Sequence, residues 1–190
     1  MELPPFAAWR HHDAREGFEV VFLRPEGTGL RVDGHTAAVQ AGEGWAVEYA
    51  IALDARWRTR RARVRGRSAT GAREVTLEAD GEGAWRVDGA PAPELDGCLD
   101  VDLESSSFTN AFPVHTLGLA TGAAADAPAA YVRAPGLAVE RLEQRYRRVE
   151  DDAAGERYDY AAPRFAFAAR LAYDRFGLVL DYPGIAVRVA

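Results

Sequence analysis

Large apolar residues along this chain recur at every second position in short runs, and turn residues separate the runs. The clearest run is Trp45, Val47, Tyr49, Ile51 and Leu53, alternating with Ala46, Glu48, Ala50 and Ala52. Successive strand side chains point to opposite faces, so this pattern predicts a strand with one large apolar face and one small face. Shorter β-prone runs follow the same logic at residues 18–23, at Val75 and Leu77, at 85–87, at Phe165, Phe167, Leu171 and Tyr173, and at 177–189. Between them, residues 25–29, Asp33-Gly34, 42–44, 80–83 and Asp88-Gly89 read as turns. Such a cadence predicts an all-β, antiparallel sheet. Val114 to Leu117 continues in β-like sequence, 122–130 reads as an Ala-rich loop, and 151–155 as a second loop. Residues 137–149 carry two periods: Leu142, Tyr146 and Val149 at helical spacing, Leu142, Gln144 and Tyr146 at strand spacing. The surrounding strands favour strand.

The stretch 95–103 holds the candidate chemistry. As a strand it places Cys98, Asp100 and Asp102 on one side and Leu99, Val101 and Leu103 on the other. Two acids on one face can anchor a polar ligand, hold a metal or move protons. The competing reading is the wet face of a sheet beside a turn at Asp96-Gly97.

A chain of 190 residues suggests one domain, residues 1–190, long enough to bury a sizeable core. The apolar fraction of 48% overstates that core, because 37 residues are Ala. All 23 basic residues are Arg; with so much Ala, this reflects GC-rich coding more than selection for guanidinium chemistry. The net charge of −6 argues against nucleic-acid partners. One cysteine allows no internal disulfide. Residues 1–6 lack a basic segment followed by an apolar run, and no run nears the roughly 20 apolar residues that span a bilayer. The expectation is a soluble cytoplasmic protein without stable membrane insertion, its oligomeric state left open.

Tyr49-x-Ile51-x-Leu53-Asp54 resembles Ala169-x-Leu171-x-Tyr173-Asp174 at an offset of 120 residues, each followed within three residues by an aromatic, Trp57 or Phe176. A true internal duplication would make two β-meanders continuing one sheet.

Residues 95–103, Phe108-Thr-Asn110, Pro113, Gln144-x-Tyr146, residues 177–183 and Tyr49-x-Ile-x-Leu-Asp-x-x-Trp57-x-Thr-Arg60 together resemble the bacterial "putative glycolipid-binding" family, formerly a domain of unknown function. The resemblance spans nearly the whole chain. It implies a large rolled, barrel-like antiparallel sheet around an apolar cavity, and binding of a glycolipid or other lipid. In the family pattern two basic residues follow the Pro-apolar pair; here those places hold His115 and Thr116, which weakens any contact there with an anionic head group.

The reading that follows is non-catalytic binding of an amphipathic ligand, with no cofactor. Trp45, Tyr49, Trp57, Cys98, Asp100, Asp102, Asn110 and His115 are the candidate ligand-binding residues: aromatics for the tail, acids and Asn110 for the head. The bland reading of the aromatics is ordinary core. The alternative function is a hydrolase of a sugar or lipid conjugate using Asp100, Asp102 or His115, although paired acids are too common to specify one. Cys98 as a nucleophile needs His115 as its base; a lone Cys is more often a small buried hydrophobe. No tight Cys/His spacing signals a metal. Seven arginines between Arg56 and Arg67 form a stripe that reads as a solvated face paired with the chain's acids, or else as an interaction surface. His11-His12 reads as a surface pair.

Overall fold

The computed structural model describes residues 3–153 and 155–190. Fourteen antiparallel strands form one open sheet. Its N-terminal half runs through β1 (Phe6–His11), β2 (Glu16–Glu26), β3 (Gly29–Gln40), β4 (Glu43–Leu53), β5 (Thr59–Ser68), β6 (Gly71–Ala79), β7 (Trp85–Val87) and β8 (Ala90–Pro91). Its C-terminal half runs through β10 (Ala124–Asp126), β13 (Arg145–Asp152), β14 (Gly155–Ala162), β15 (Phe167–Tyr173), β16 (Val179–Tyr182) and β17 (Ala186–Arg188). Pairing of β17 with β1 joins the halves, and β8 and β10 are the free edges, so the sheet rolls without closing. A second sheet of three strands, ordered β12 (Val139–Leu142), β11 (Ala129–Val132), β9 (Asp100–Leu103), pairs β9 and β11 in parallel.

The period-2 pattern has the predicted consequence. Trp45, Val47, Tyr49, Ile51 and Leu53 are all buried on one face of β4, beside Val32 of β3 and Ala62 and Val64 of β5. The C-terminal half turns Tyr146, Tyr158, Tyr160, Leu171, Tyr173 and Tyr182 inward as a second cluster.

The rolled sheet matches the expected fold class, but its concave side is not an empty apolar cavity. Residues 95–114 fill it: Leu95, Cys98, Val101, Leu103, Phe108, Ala111 and Phe112 belong to the same core as β1–β6. One curled sheet must cover its apolar face with something, and here the chain covers it with its own connection between the halves.

Four local expectations change. Val114 to Leu117 is not β but the end of a helix, α1 (Ala111–Leu117). Pro113 sits in the first turn, where a missing N–H costs nothing, and Gly118 ends the helix in the left-handed region with its N–H on the Val114 carbonyl. Asp33-Gly34 is not a turn but the middle of β3. Gly34 pairs with Tyr49, and a Cβ there would lie 2.1 Å from that ring, so the glycine makes room for the aromatic. The Ala-rich stretch 122–130 is not loop throughout; it contains β10 and the start of β11. Within 137–149 the regular structure is strand, as context suggested: β12 and the first part of β13, with Glu143 and Gln144 between them outside any strand. Of the loop expected at 151–155, Asp151 and Asp152 instead end β13 and Gly155 begins β14; Ala154, like Met1 and Glu2, lies outside the described residues.

Successive strands run in opposite directions, so alternate turns fall at opposite ends of the roll. The β1–β2, β3–β4, β14–β15 and β16–β17 turns share one end; the β2–β3, β4–β5 and β15–β16 turns share the other.

Candidate functional site

The acid strand is enclosed, which excludes the solvated-face reading. β9 is buried at every position because it lies between the rolled sheet and β11. Asp102 accepts from the Thr109 hydroxyl (2.8 Å) at Oδ1 and from Gln144 Nε2 (2.5 Å) at Oδ2. Burial pushes its carboxyl up to about 6, against the pull of those two donors. Asp100 accepts from the Thr116 hydroxyl (3.0 Å) at Oδ2, while Oδ1 is enclosed without a partner. Burial, with a smaller push from Asp102, takes it to about 7 despite the Thr116 bond.

Asp102 and Asn110 both line a cavity of about 270 Å³ at the end of the roll that carries the β1–β2 turn. Arg15 of that turn, Tyr131 of β11, Tyr160 of β14 and Tyr182 of β16 supply further polar groups, and the Phe165 and Phe167 rings pack against those of the three tyrosines. The cavity therefore opens where the two halves of the sheet meet the filling segment. Asn110 is fixed by Tyr146, whose hydroxyl donates to Oδ1 at 2.9 Å, and by Tyr173, whose hydroxyl donates to its carbonyl at 3.2 Å. Phe165 is 41% exposed at the rim, with the Arg133 guanidinium 5.7 Å above its ring.

Behind the cavity lies a buried carboxylate that the sequence reading passed over. Glu19 of β2 points into the core between Val21 and Trp9. Tyr49 (2.6 Å) and Ser106 (2.5 Å) donate hydroxyls to Oε1, and the Ser107 N–H donates to Oε2 at 2.8 Å. Burial raises Glu19 from its ordinary range, opposed first by Ser106. This cluster ties the filling segment to the sheet. Tyr49 thus serves the core, and Trp45 is buried with its ring 5.5 Å from the Arg15 guanidinium. An acid in the register of Val21 and Leu23 was the available signal: a charge on a core-facing position demands partners.

Trp57 and His115 lie at the opposite end of the roll. Their rings stack with centroids 3.5 Å apart and 8° between planes, and His115 Nε2 donates to the Phe176 carbonyl at 3.0 Å. Burial lowers the His115 pKa. The turns bearing Trp57 and Phe176 share a hydrogen-bond pattern: Asp54 Oδ1 takes the N–H of Arg56 and Arg58, and Asp174 Oδ1 takes those of Phe176 and Leu178. Asp80 repeats it with Glu82 and Ala84, so the geometry belongs to the turn type. Cys98 is sealed in the core, its thiol pushed up to about 11 chiefly by burial, and a protonated thiol is a poor nucleophile.

His11 is buried, not a surface residue; burial, then the adjacent Arg15 charge, lowers its pKa to about 3. In the arginine stripe, Arg58 pairs with Glu82, Arg61 with Glu78, and Arg63 and Arg65 with Glu74. Among the described residues no cluster of three or more His, Cys, Asp or Glu could hold a metal, and no helix is long and apolar enough to cross a membrane.

The chain is similar in structure to a DUF1089 family protein from Pseudomonas aeruginosa, known from a crystal structure, with a TM-score of 0.77 and 38% identity over 90% of this chain and 92% of that one. A comparison with curated proteins finds no match. The sequence pattern of the family described as "Putative glycolipid-binding" matches residues 6–188, and the chain belongs to that family.

Proposed function

We propose that the chain binds the polar head of a glycolipid, without turning it over, in the cavity that Asp102 and Asn110 line. The observation that carries this reading is the mixed lining of the cavity. Tyr131, Tyr160, Tyr182, Asn110 and Asp102 bring donors and acceptors, and the Phe165 and Phe167 rings pack against the rings of Tyr131, Tyr160 and Tyr182. A few convergent polar groups among apolar ring surface is the usual make-up of a small-molecule site. A volume of about 270 Å³ is small for such sites, so it suits one sugar ring and not an acyl chain as well. The tail would leave over exposed Phe165. Trp45, Tyr49 and Cys98 then support the fold behind the site. Trp57 and His115 brace the far end. Asp102 acts through Thr109 and Gln144, which fix it, as an acceptor at the cavity wall.

The test is a titration with n-octyl β-D-glucoside below its micelle threshold, followed by native mass spectrometry. Octyl tetraethylene glycol, with the same tail and no sugar, is the control. The glucoside should bind and the control should not compete. Phe165→Ala should weaken binding while the thermal melt stays close to wild type. Equal binding of both amphiphiles would remove the sugar from the reading, and release of free glucose would replace a binder with a hydrolase.

A further inference from the structure

Arg15 is 6% exposed, yet no carboxylate lies within ion-pair distance of it among the described residues. Its two hydrogen bonds go to neutral groups. Nε donates to His11 Nδ1 at 3.1 Å, and one terminal nitrogen donates to the Glu104 carbonyl at 2.6 Å. Its other terminal nitrogen has no hydrogen-bond partner among the described residues. The nearby acids are engaged elsewhere. Glu19 holds Tyr49, Ser106 and the Ser107 N–H, and Glu104 holds Arg133 and the Ala134 N–H. Glu19 and Glu104 act on Arg15 only across space, without contact; burying a charge without a direct partner is costly, and a guanidinium does not escape the cost by losing its proton. Arg15 bears that cost in the wall of the cavity, with the Trp45 ring 5.5 Å from its guanidinium and Arg133 at the rim.

Two acids also line the cavity, and neither replaces the missing partner. Both Asp102 oxygens already accept hydrogen bonds, from Thr109 and Gln144. The Glu104 carboxylate is drawn to Arg133 on the rim. Arg15 thus keeps one terminal nitrogen without a partner in the cavity wall, and a charged guanidinium N–H is a donor suited to a carboxylate or a phosphate.

We propose that the head group this cavity takes is anionic, a sugar bearing a carboxylate or phosphate, and that Arg15 is its anchor. This rests on the glycolipid reading above and names the charge of its ligand. The ligand completes the ion pair that the folded chain leaves open.

The experiment compares n-octyl β-D-glucuronide with n-octyl β-D-glucoside, which share a tail and differ in one carboxylate. Glucuronic acid and inorganic phosphate, without tails, form two further arms. Trp45, beside Arg15, provides a fluorescence readout alongside calorimetry. Wild type should bind the glucuronide at least about tenfold tighter than the glucoside, the scale of one charge-assisted contact. Arg15→Gln should collapse that preference to less than about twofold, and Arg15→Lys should keep part of it, because the charge remains without the planar guanidinium. If Arg15→Gln does not fold, the wild-type preference and its reduction in Arg15→Lys decide. Equal affinities in wild type would overturn the anionic head and leave a neutral sugar site standing. Binding of phosphate or glucuronic acid as tight as the tailed ligand, and lost in Arg15→Gln, would keep the anion site and overturn the lipid. Failure of every probe to bind would overturn both.

Discussion

Replacing Asp100 with Asn should remove a pH dependence that this side chain builds into folding. The carboxyl is buried, with one oxygen on Thr116 and the other without a partner. Burial raises it from an ordinary 3.8 to about 7. Between those values the unfolded chain is ionised at this position while the folded chain still holds the proton. Stability from Asp100 is therefore complete below about pH 4 and is lost as the pH rises to about 7. At about 1.4 kcal/mol per pH unit the loss is about 4 kcal/mol. His11 slopes the other way: lowered to about 3 by burial, it contributes stability that is lost as the pH falls below about 6.5. The two partly cancel in the wild type, so the observable is the difference between variant and wild type. Asn cannot ionise and leaves an amide N–H unmatched, at about 1–3 kcal/mol throughout. The variant should be the less stable protein at pH 4 and should gain about 3–4 kcal/mol relative to wild type by pH 8. Urea unfolding followed by circular dichroism at unit steps of pH measures this. A difference flat to within about 1 kcal/mol across the range would refute a raised, poorly partnered Asp100.

Gly177→Ala should destabilise the protein by about 2–3 kcal/mol, because the residue sits at φ +69° and the new Cβ would lie 2.7 Å from His115 Nε2. Gly27→Ala, at φ +60° in open space, is the control in the same thermal melts; an equal loss in both would mean that the His115 contact carries nothing. Glu19→Ala should cost about 3–5 kcal/mol, since it strands the Tyr49 and Ser106 hydroxyls and the Ser107 N–H. Glu19→Gln keeps an acceptor and should cost less; wild-type stability of the alanine variant in denaturant would sink the account of that cluster.

Much of the sheet was legible because its signal is local. Period-2 alternation in β4 reports which face meets the core whatever that core contains, and it survives in the fold residue for residue. The turn at Asp80 was readable for the same reason, since its side chain caps its own next four residues, as those of Asp54 and Asp174 do in the structure. Family membership was legible from motifs spread along the chain. Local signals failed where a distant partner overrode them. Asp33-Gly34 has turn composition, but Tyr49 from β4 needs the space above Gly34. Val114 to Leu117 has β-prone residues, but it is the end of one short helix that begins at Ala111 and stops at Gly118, packed in the roll.

The sequence by itself determined that this chain is a many-stranded antiparallel sheet and that Asp100 and Asp102 share a strand. Backbone geometry alone decides such things. Only the tertiary structure decided that both acids are buried, because burial depends on β11 and the rolled sheet closing over β9 from segments far along the chain. It alone separated Trp57 and His115 from Asp102 and Asn110, placing them at opposite ends of the roll. It also singled out Arg15. Among 23 arginines in a chain with more acids than bases, nothing in composition tells which guanidinium is buried without an ion-pair contact; that is settled by distances to groups about 90 residues away.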